Sequence, residues 1–191
     1  GTVVVRGKAA STRTYRAWMI VLLKWLRLQA VADCTREPGQ EDDRRANGGC
    51  LIVRDQQVLL ITHRWGGKLG VPGGTLEPGE LAQCTEHRET LEETAWRVEI
   101  TGLLGWYIFQ PYKGAGVYYR TCFIAEPQGH DPHRKLDTGI LEPTGLTPEE
   151  LAQRRAEHRS PLVARCVADY QSGRRLPLDA IYQHPWPLQR G

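Results

Sequence analysis

Methionine and phenylalanine are nearly missing from this chain of 191 residues, which has one Met and two Phe. None of its five cysteines forms a C-x-x-C pair, which argues against the common zinc-ribbon and thioredoxin-like spacings. No uninterrupted apolar run reaches the about 20 residues that a spanning helix needs, because Lys24 and Arg27 break the best one. No repeat of solenoid length and no low-complexity tract occurs, so repeat arrays and compositionally disordered classes are set aside. A strong charge of either sign is missing too, the formal net charge being +3. Residues 1–47 carry nine Lys/Arg against five Asp/Glu, whereas residues 48–191 carry 16 against 17. The main body therefore lacks the basic face of a general nucleic-acid binder, and no nucleic-acid polymer is expected as a partner.

What is present is a globular composition, 40% apolar and 25% charged, at a length that suits one full-sized domain. Three stretches divide the chain. Residues 1–47 are a basic and apolar segment with a linker, residues 48–182 a folded domain, and residues 183–191 a tail.

In the first stretch Arg6, Lys8, Arg13 and Arg16 precede an apolar run from Ala17 to Ala32 that ends in Ala30-Val31-Ala32. A basic front, an apolar middle and a small-residue end are the parts of a secretory signal peptide. Lys24 and Arg27 lie three apart, so the same run can also form an amphipathic helix with a polar face. The first reading makes the protein exported or periplasmic; the second leaves it cytoplasmic, with any membrane contact confined to residues 15–32. Gly1 reads as a non-native start, and Met19 is a candidate initiator. Residues 35–48 are polar with Pro and Gly, and read as a linker.

Cys34, Cys50, Cys84, Cys122 and Cys166 leave the compartment equally open. Buried thiols in a reducing cytosol are one reading. Two disulfides with one spare thiol in an oxidising compartment are the other, with Cys34–Cys50 tying linker to strand and Cys84–Cys122 joining helix to strand.

Within the domain, Cys50–Val53 and Val58–Thr62 are β-rich runs about a polar turn, predicting a hairpin. Leu81, Cys84, Arg88, Leu91 and Ala95 recur at spacings of three and four, predicting a helix over 81–95 whose inner face is apolar except for Arg88. Val98–Gln110 and Gly116–Ala125 read as strands. Residues 127–147 are rich in Pro, Gly, His and Asp and read as loop. Thr147-Pro148-Glu149-Glu150 opens a helix, and a last helix runs from Pro161, capped by Ser160, to about Gln171. Strands mixed with helices predict an α/β (α+β) layered domain.

The chemistry sits in Gly73–Glu80 and Arg88–Trp96. Glu89, Glu92 and Glu93 lie at i, i+3 and i+4, so their carboxylates share one helix face. Three like charges so placed destabilise an isolated helix, but a divalent cation among them reverses that. Mg²⁺ takes oxygen ligands and bridges carboxylates to substrate phosphates. The bland alternative is a solvated acidic face. The setting weighs against it: Arg88 can hold a carboxylate bidentately, and the Gly73-Gly74 turn lets a backbone carbonyl approach the same place. Glu80 is placed to support that loop or to help bind metal.

Gly74, Glu80, Arg88, Glu89, Glu92 and Glu93 together resemble the Nudix box, G-x5-E-x7-R-E-U-x-E-E-x-G-U, where U is aliphatic. Thr90, Ala95 and Trp96 depart from it, and none of them is a metal ligand. The resemblance implies a Nudix-fold α/β/α sandwich with a mixed sheet. It also implies hydrolysis of a phosphoanhydride in a nucleoside diphosphate-linked or related pyrophosphate, using Mg²⁺ (or Mn²⁺). By the same resemblance Glu89, Glu93 and Glu92 would be metal ligands, joined by a carbonyl of Gly73 or Gly74. Glu92 would be a ligand or the base for water, and Arg88 would orient Glu89. Glu142, Asp137 and His130 are candidates for a further, loop-borne base.

For the rest of the substrate, Trp65, Trp106, Tyr112 and Tyr118 offer stacking faces, and Arg64 and Lys68 offer cations for phosphate. The segments Arg159–Arg165, Tyr170–Arg174 and Pro177-Leu178 resemble the C-terminal helix of NudJ-type phosphatases, whereas Gly67-Lys68-Leu69 and Gln83-Cys84-Thr85 resemble exported Nudix proteins. Two other function classes stand beside the hydrolase: a nucleotide-binding Nudix sensor without catalysis, and a membrane-surface protein using residues 15–32. A homodimer is compatible with any of them.

Overall fold

A computed structural model of the chain describes residues 45–77 and 79–184. The leader or amphipathic helix, Cys34 and residues 185–191 lie outside the described residues. Cys50 is a buried free thiol, so the expected Cys34–Cys50 disulfide is not formed. The described chain runs β1 (Arg45–Arg54), β2 (Gln57–His63), β3 (Leu69–Gly70), α1 (Ala82–Thr94), β4 (Trp96–Phe109), β5 (Tyr118–His130), β6 (Ile140–Leu146), α2 (Pro148–Gln153) and α3 (Leu162–Gln171). Short 3₁₀ turns follow at Arg155–Glu157 and Leu178–Ala180.

These six strands form one mixed sheet in the order β3-β2-β1-β5-β4, with β6 also paired to β2. Of these pairs only β1 and β5 run parallel; the others are antiparallel. The expected β1–β2 hairpin is present. Asp55 and Gln56 turn it in two residues, both at positive φ, which suits the twist of the flanking strands.

Period-two alternation along β1 sends side chains to two cores. Leu51 joins Leu60, Leu104, Ile124, Val163, Cys166 and Val167 on one face, and Val53 packs against the same group. Cys50 and Ile52 join Val98 and Ala125 on the other. Helix α3 contributes to the first core, whereas α1 lies on the other face, with Glu86 over Gly48 and Gly73, beside Cys50. The result is the expected α/β/α layering.

Four local expectations are corrected. First, β1 begins at Arg45 and pairs from Tyr118 onward, so the end of the supposed linker is strand. Second, much of 127–147 is strand rather than loop: β5 continues to His130, and Ile140–Leu146 pairs with β2. Register shifts at Arg97/Val98 and Thr62/His63 accommodate the chain near Pro127 and Gly129 and near Ile140, as bulges do. Third, α3 starts one residue late, with Pro161 at the cap and no side-chain cap from Ser160. Helix α2, in contrast, opens with a full capping box between Thr147 and Glu150.

The fourth correction concerns α1. Leu81 and Cys84 are exposed, and Leu91 and Arg88 are half-buried. The face packed on the sheet is Thr85, Glu86, Thr90, Glu93 and Thr94. The helix buries its polar side because what lies beneath it is glycine-floored backbone rather than apolar side chains. The cysteine expectation changes with it. Cys84 is an exposed free thiol and Cys122 a wholly buried one, so no Cys84–Cys122 disulfide forms. The thiol beside Cys122 belongs to Cys166.

Candidate active site

Residues 72–76 run beside β1 and bring the glycine bend against α1. The amide of Cys50 donates to the Pro72 carbonyl at 2.8 Å, and that of Gly48 to the Gly74 carbonyl at 2.8 Å. The Gly74 carbonyl is thus engaged, whereas the Gly73 carbonyl accepts no hydrogen bond among the described residues. Gly73 has φ 139°, in the region that favours glycine, and its amide donates to Glu93 Oε2 at 2.8 Å.

Close approach sets the rest of the floor. A Cβ on Gly74 would lie 2.2 Å from Glu89 Cδ, and a Cβ on Gly48 would lie 1.5 Å from Glu86 Oε1. Glycine at these positions is therefore a steric condition for seating the two carboxyl groups.

Arg88 organises the solvent side. Its Nε and Nη2 donate to the two oxygens of Glu80 at 2.9 and 3.0 Å. Its Nη1 donates to Glu89 at 2.8 Å and to Glu92 at 3.3 Å. Glu80 also accepts from the Thr85 hydroxyl at 2.8 Å. Arg88 and then Thr85 hold the Glu80 carboxyl down at a pKa of about 2. Glu80 is thus a brace between the loop and the helix.

The three box carboxylates differ in environment. Glu93 is buried, and desolvation pushes its pKa up to about 7 against the opposing Gly73 hydrogen bond. Burial also raises Glu89, with Arg88 opposing. The Glu92 side chain is more open, 39% exposed. Glu86, one turn before Glu89, was absent from the expected set. It is wholly buried, and neither of its oxygens has a hydrogen-bond partner among the described residues. Burial pushes its pKa up to about 9, while the Arg120 charge pulls it down.

Of the candidates for an additional base, the structure brings Asp137 to the cluster. Its amide donates to the Glu92 carbonyl at 2.9 Å, and its charge acts on both Glu89 and Glu93. His130 instead stacks on Trp96 with centroids 4.8 Å apart, and Glu142 pairs with Thr62 in the sheet.

A cleft of about 350 Å³ opens beside the bend, between Gly73-Gly74-Thr75 and a wall of Tyr118, Arg120 and Arg159. Tyr118 is the one expected substrate contact that lines it. Arg64 is occupied by the Thr138 and Ile140 carbonyls, and Lys68 donates to the Ala156 carbonyl at 2.8 Å. Tyr112, Trp65 and Trp106 are all exposed, at 72, 75 and 74%, and none lines this cleft. Arg120 and His63, which do, belong to no motif legible in the chain, and Arg159, which also does, stands there only as the first residue of the segment resembling NudJ-type phosphatases. The available signal was Arg120, a charge inside the otherwise apolar and aromatic run Tyr118–Ala125.

Comparison with known proteins agrees with this geometry. The family model described as NUDIX domain matches residues 43–166. Phosphatase NudJ of Escherichia coli K12 is 29% identical over 145 residues, covering 74% of this chain and 93% of that protein. The solved structure of a NUDIX hydrolase from Nitrosomonas europaea is 35% identical, covers 74% of this chain and 97% of its own, and superposes with a TM-score of 0.71. A UDP-X diphosphatase structure shares the fold at 16% identity and a TM-score of 0.59, over 86% of this chain and 84% of that one. A glutamate-bearing helix braced by Arg88 against a glycine bend, on this sheet and among these relatives, places the chain in the Nudix family, as a Nudix hydrolase.

Proposed function

We propose that this hydrolase cleaves the phosphoanhydride bond of a nucleoside diphosphate-linked or related pyrophosphate substrate, with Mg²⁺ or Mn²⁺ as cofactor. The observation that carries the reading is the Glu89, Glu92 and Glu93 face of α1, steadied by Arg88 and set against the Gly73 amide. The names of the relatives, a phosphatase and a diphosphatase, support the same bond class.

The donor set is all oxygen, which suits a hard cation. Among the described residues no group of three His, Cys, Asp or Glu side chains, Glu89, Glu92 and Glu93 included, is gathered into a metal-holding cage. Mg²⁺ does not need one, since it usually binds through one or two carboxylates and keeps waters and substrate phosphates for the rest. Poorly solvated carboxylates such as Glu93 and Glu89 gain most from a neighbouring cation. The residue chemistry therefore fits, and Glu89, Glu93 and the Gly73 carbonyl would hold the ion, with Glu92 as a further ligand or as the base. Bound there, a divalent ion supplies Lewis acidity and a lowered pKa for water.

The protein's own groups do the remaining work. Glu92, the most open of the three, takes the proton of the attacking water. Arg88 fixes the directions of Glu89 and Glu92. Asp137 stands next to Glu92 as the second candidate for that proton. We take residues 48–182 as the catalytic unit and Tyr118 as a wall of its substrate cleft.

The test is release of phosphate or nucleoside monophosphate from a panel of nucleotides with Mg²⁺. Turnover should vanish with a chelator, return with added metal, and be lost in Glu93→Gln. Tight nucleotide binding with no turnover by the unmodified protein would overturn the proposal.

A further inference from the structure

The cleft beside the acidic face is unlike that face in charge. Its lining holds two arginines, Arg120 and Arg159, and no Asp or Glu. Each arginine is set in place without a carboxylate partner among the described residues. Arg159 donates its amide to the Leu69 carbonyl at 2.8 Å, and its Nη1 lies 2.8 Å from the His63 ring nitrogens. His63 is itself confined, since a Cβ on Gly70 would come 2.7 Å from its Nε2. Burial and then the Arg159 and Arg120 charges push the His63 pKa down to about 4, so near neutral pH the ring accepts from Arg159 and adds no competing charge.

Arg120 packs its stem over Gly49, where a Cβ would lie 3.2 Å from its Cδ. Its guanidinium makes no hydrogen bond or ion pair among the described residues, although its charge is felt by Glu86, Glu93 and His63. A half-buried guanidinium without a partner is an unusual expense unless something else supplies the acceptor. Its planar donors match phosphate oxygens two at a time. The cleft runs from these two forks to Gly73 and Gly74, at the edge of the carboxylate face.

We infer that Arg120 and Arg159 form an anion subsite that holds a phosphoryl group of the substrate not undergoing attack, with His63 as the positioning residue for Arg159. The inference rests on the hydrolase reading for its neighbour but not for its own chemistry. Two cations lining one cleft, Arg120 half-buried and Arg159 exposed, with no acid among the lining residues, bind a phosphate oxyanion with or without metal in the carboxylate face. The glutamates would then act on one phosphorus while the arginines fix its neighbour, a division of labour that positions the scissile bond.

The probe is inorganic phosphate, titrated by calorimetry into the chelator-treated full chain. Phosphate should bind without metal and should inhibit nucleotide hydrolysis competitively. Arg120→Gln and Arg159→Gln should each weaken phosphate binding and raise KM by about tenfold or more, the loss expected for a charged hydrogen bond. Their Mn²⁺ affinity should stay near the unmodified value. Arg97→Gln, an exposed arginine on β4, should change nothing. If a glutamine variant fails to fold, Arg→Lys at the same position keeps charge without the fork and should give an intermediate loss. Phosphate binding only when metal is present, or well-folded arginine variants with unchanged phosphate affinity and KM, would overturn the subsite. Glu93→Gln separates the two proposals: it should abolish turnover and leave metal-free phosphate binding intact, whereas full turnover in that variant would sink the hydrolase mechanism alone.

Discussion

Arg88 holds both oxygens of Glu80, at 2.9 and 3.0 Å, across the eight residues that separate the loop from the second turn of α1. The third donor of the same guanidinium reaches Glu89 at 2.8 Å. One side chain therefore fixes the loop that carries the glycine bend and the direction of a carboxylate on the helix. A lysine cannot reproduce this, because its single ammonium has no fork.

Arg88→Lys is expected to keep the fold and lose about 10–100-fold in activity, the range found when a residue that orients metal ligands is changed. Glu80→Gln should act in the same direction by loosening the other end of the brace. Steady-state kinetics, together with Mn²⁺ affinity, checks both. Unchanged metal affinity and turnover in Arg88→Lys would mean that Glu89 needs no steering.

Gly48 and Glu86 are expected to behave as one unit. A Cβ at Gly48 would overlap Glu86 Oε1 at 1.5 Å, and the carboxyl is wholly buried. Gly48→Ala alone should cost about 1–3 kcal/mol through overpacking, because it forces the buried carboxyl out of its seat. Glu86→Ala should relieve that clash, so the double variant should be more stable than the sum of the single changes predicts. Denaturant unfolding of the four proteins decides it. Simple additivity would mean that the glycine serves the backbone and not the side chain above it.

These two pairs also show what was legible in the chain and what was not. The box is local, and its spacing alone put Glu89, Glu92 and Glu93 on one face and Arg88 beside them. The hairpin and the α2 cap were readable for the same reason. The buried side of α1 was not, because Leu81 and Cys84 look like a core stripe until the partner surface is known. That partner is Gly48 on a strand and Gly73 in a bend, so the polar residues Glu86, Thr90 and Glu93 go inward. Arg64 and Lys68 stand near the box in sequence, which makes them look like phosphate contacts, yet backbone carbonyls occupy both. Arg120 and Arg159 are 39 residues apart and meet only through the sheet and the turn before α3.

The folded-state pKa of His63 lies near 4, below the ordinary value of 6.5. A histidine depressed in this way is neutral when folded, so the unfolded chain takes up its proton first as pH falls. Stability linked to His63 is therefore intact above pH 6.5 and is lost as pH falls from 6.5 to about 4. Because the ring is only half-buried, the loss is expected to be about 1 kcal/mol rather than the full shift. Melting temperatures of the unmodified protein and His63→Gln, measured from pH 8 to pH 4, should converge toward the acid end. Parallel curves would remove His63 from the acid response.

The end of the described chain returns to the glutamate-bearing helix α1. Gln183 Oε1 accepts the Ala82 amide at 2.9 Å, and its Nε2 donates to the Glu80 carbonyl at 2.8 Å. The first turn of α1 has no cap of its own, since Leu81 offers no side-chain acceptor and no acid stands in that turn. One of the amides left open at a helix start is therefore satisfied from a residue about a hundred positions away in sequence. Glu80, whose carbonyl Gln183 holds, is also the residue that Arg88 grips, so the contact lies one step from the carboxylate face. Gln183→Ala should lower stability by about 1–2 kcal/mol, the loss of a cap and one further hydrogen bond. It should also reduce turnover modestly without changing the ionisable groups of the site. Gln183→Glu makes the sharper comparison. It keeps the acceptor for the Ala82 amide and adds negative charge at the positive end of the helix, but it removes the donor to Glu80. If capping of α1 is what matters, Gln183→Glu keeps the stability that Gln183→Ala loses, while its activity stays reduced. If the tie to Glu80 matters more, the two variants are equally unstable. Thermal melts and kinetics on the unmodified protein and both variants separate these outcomes.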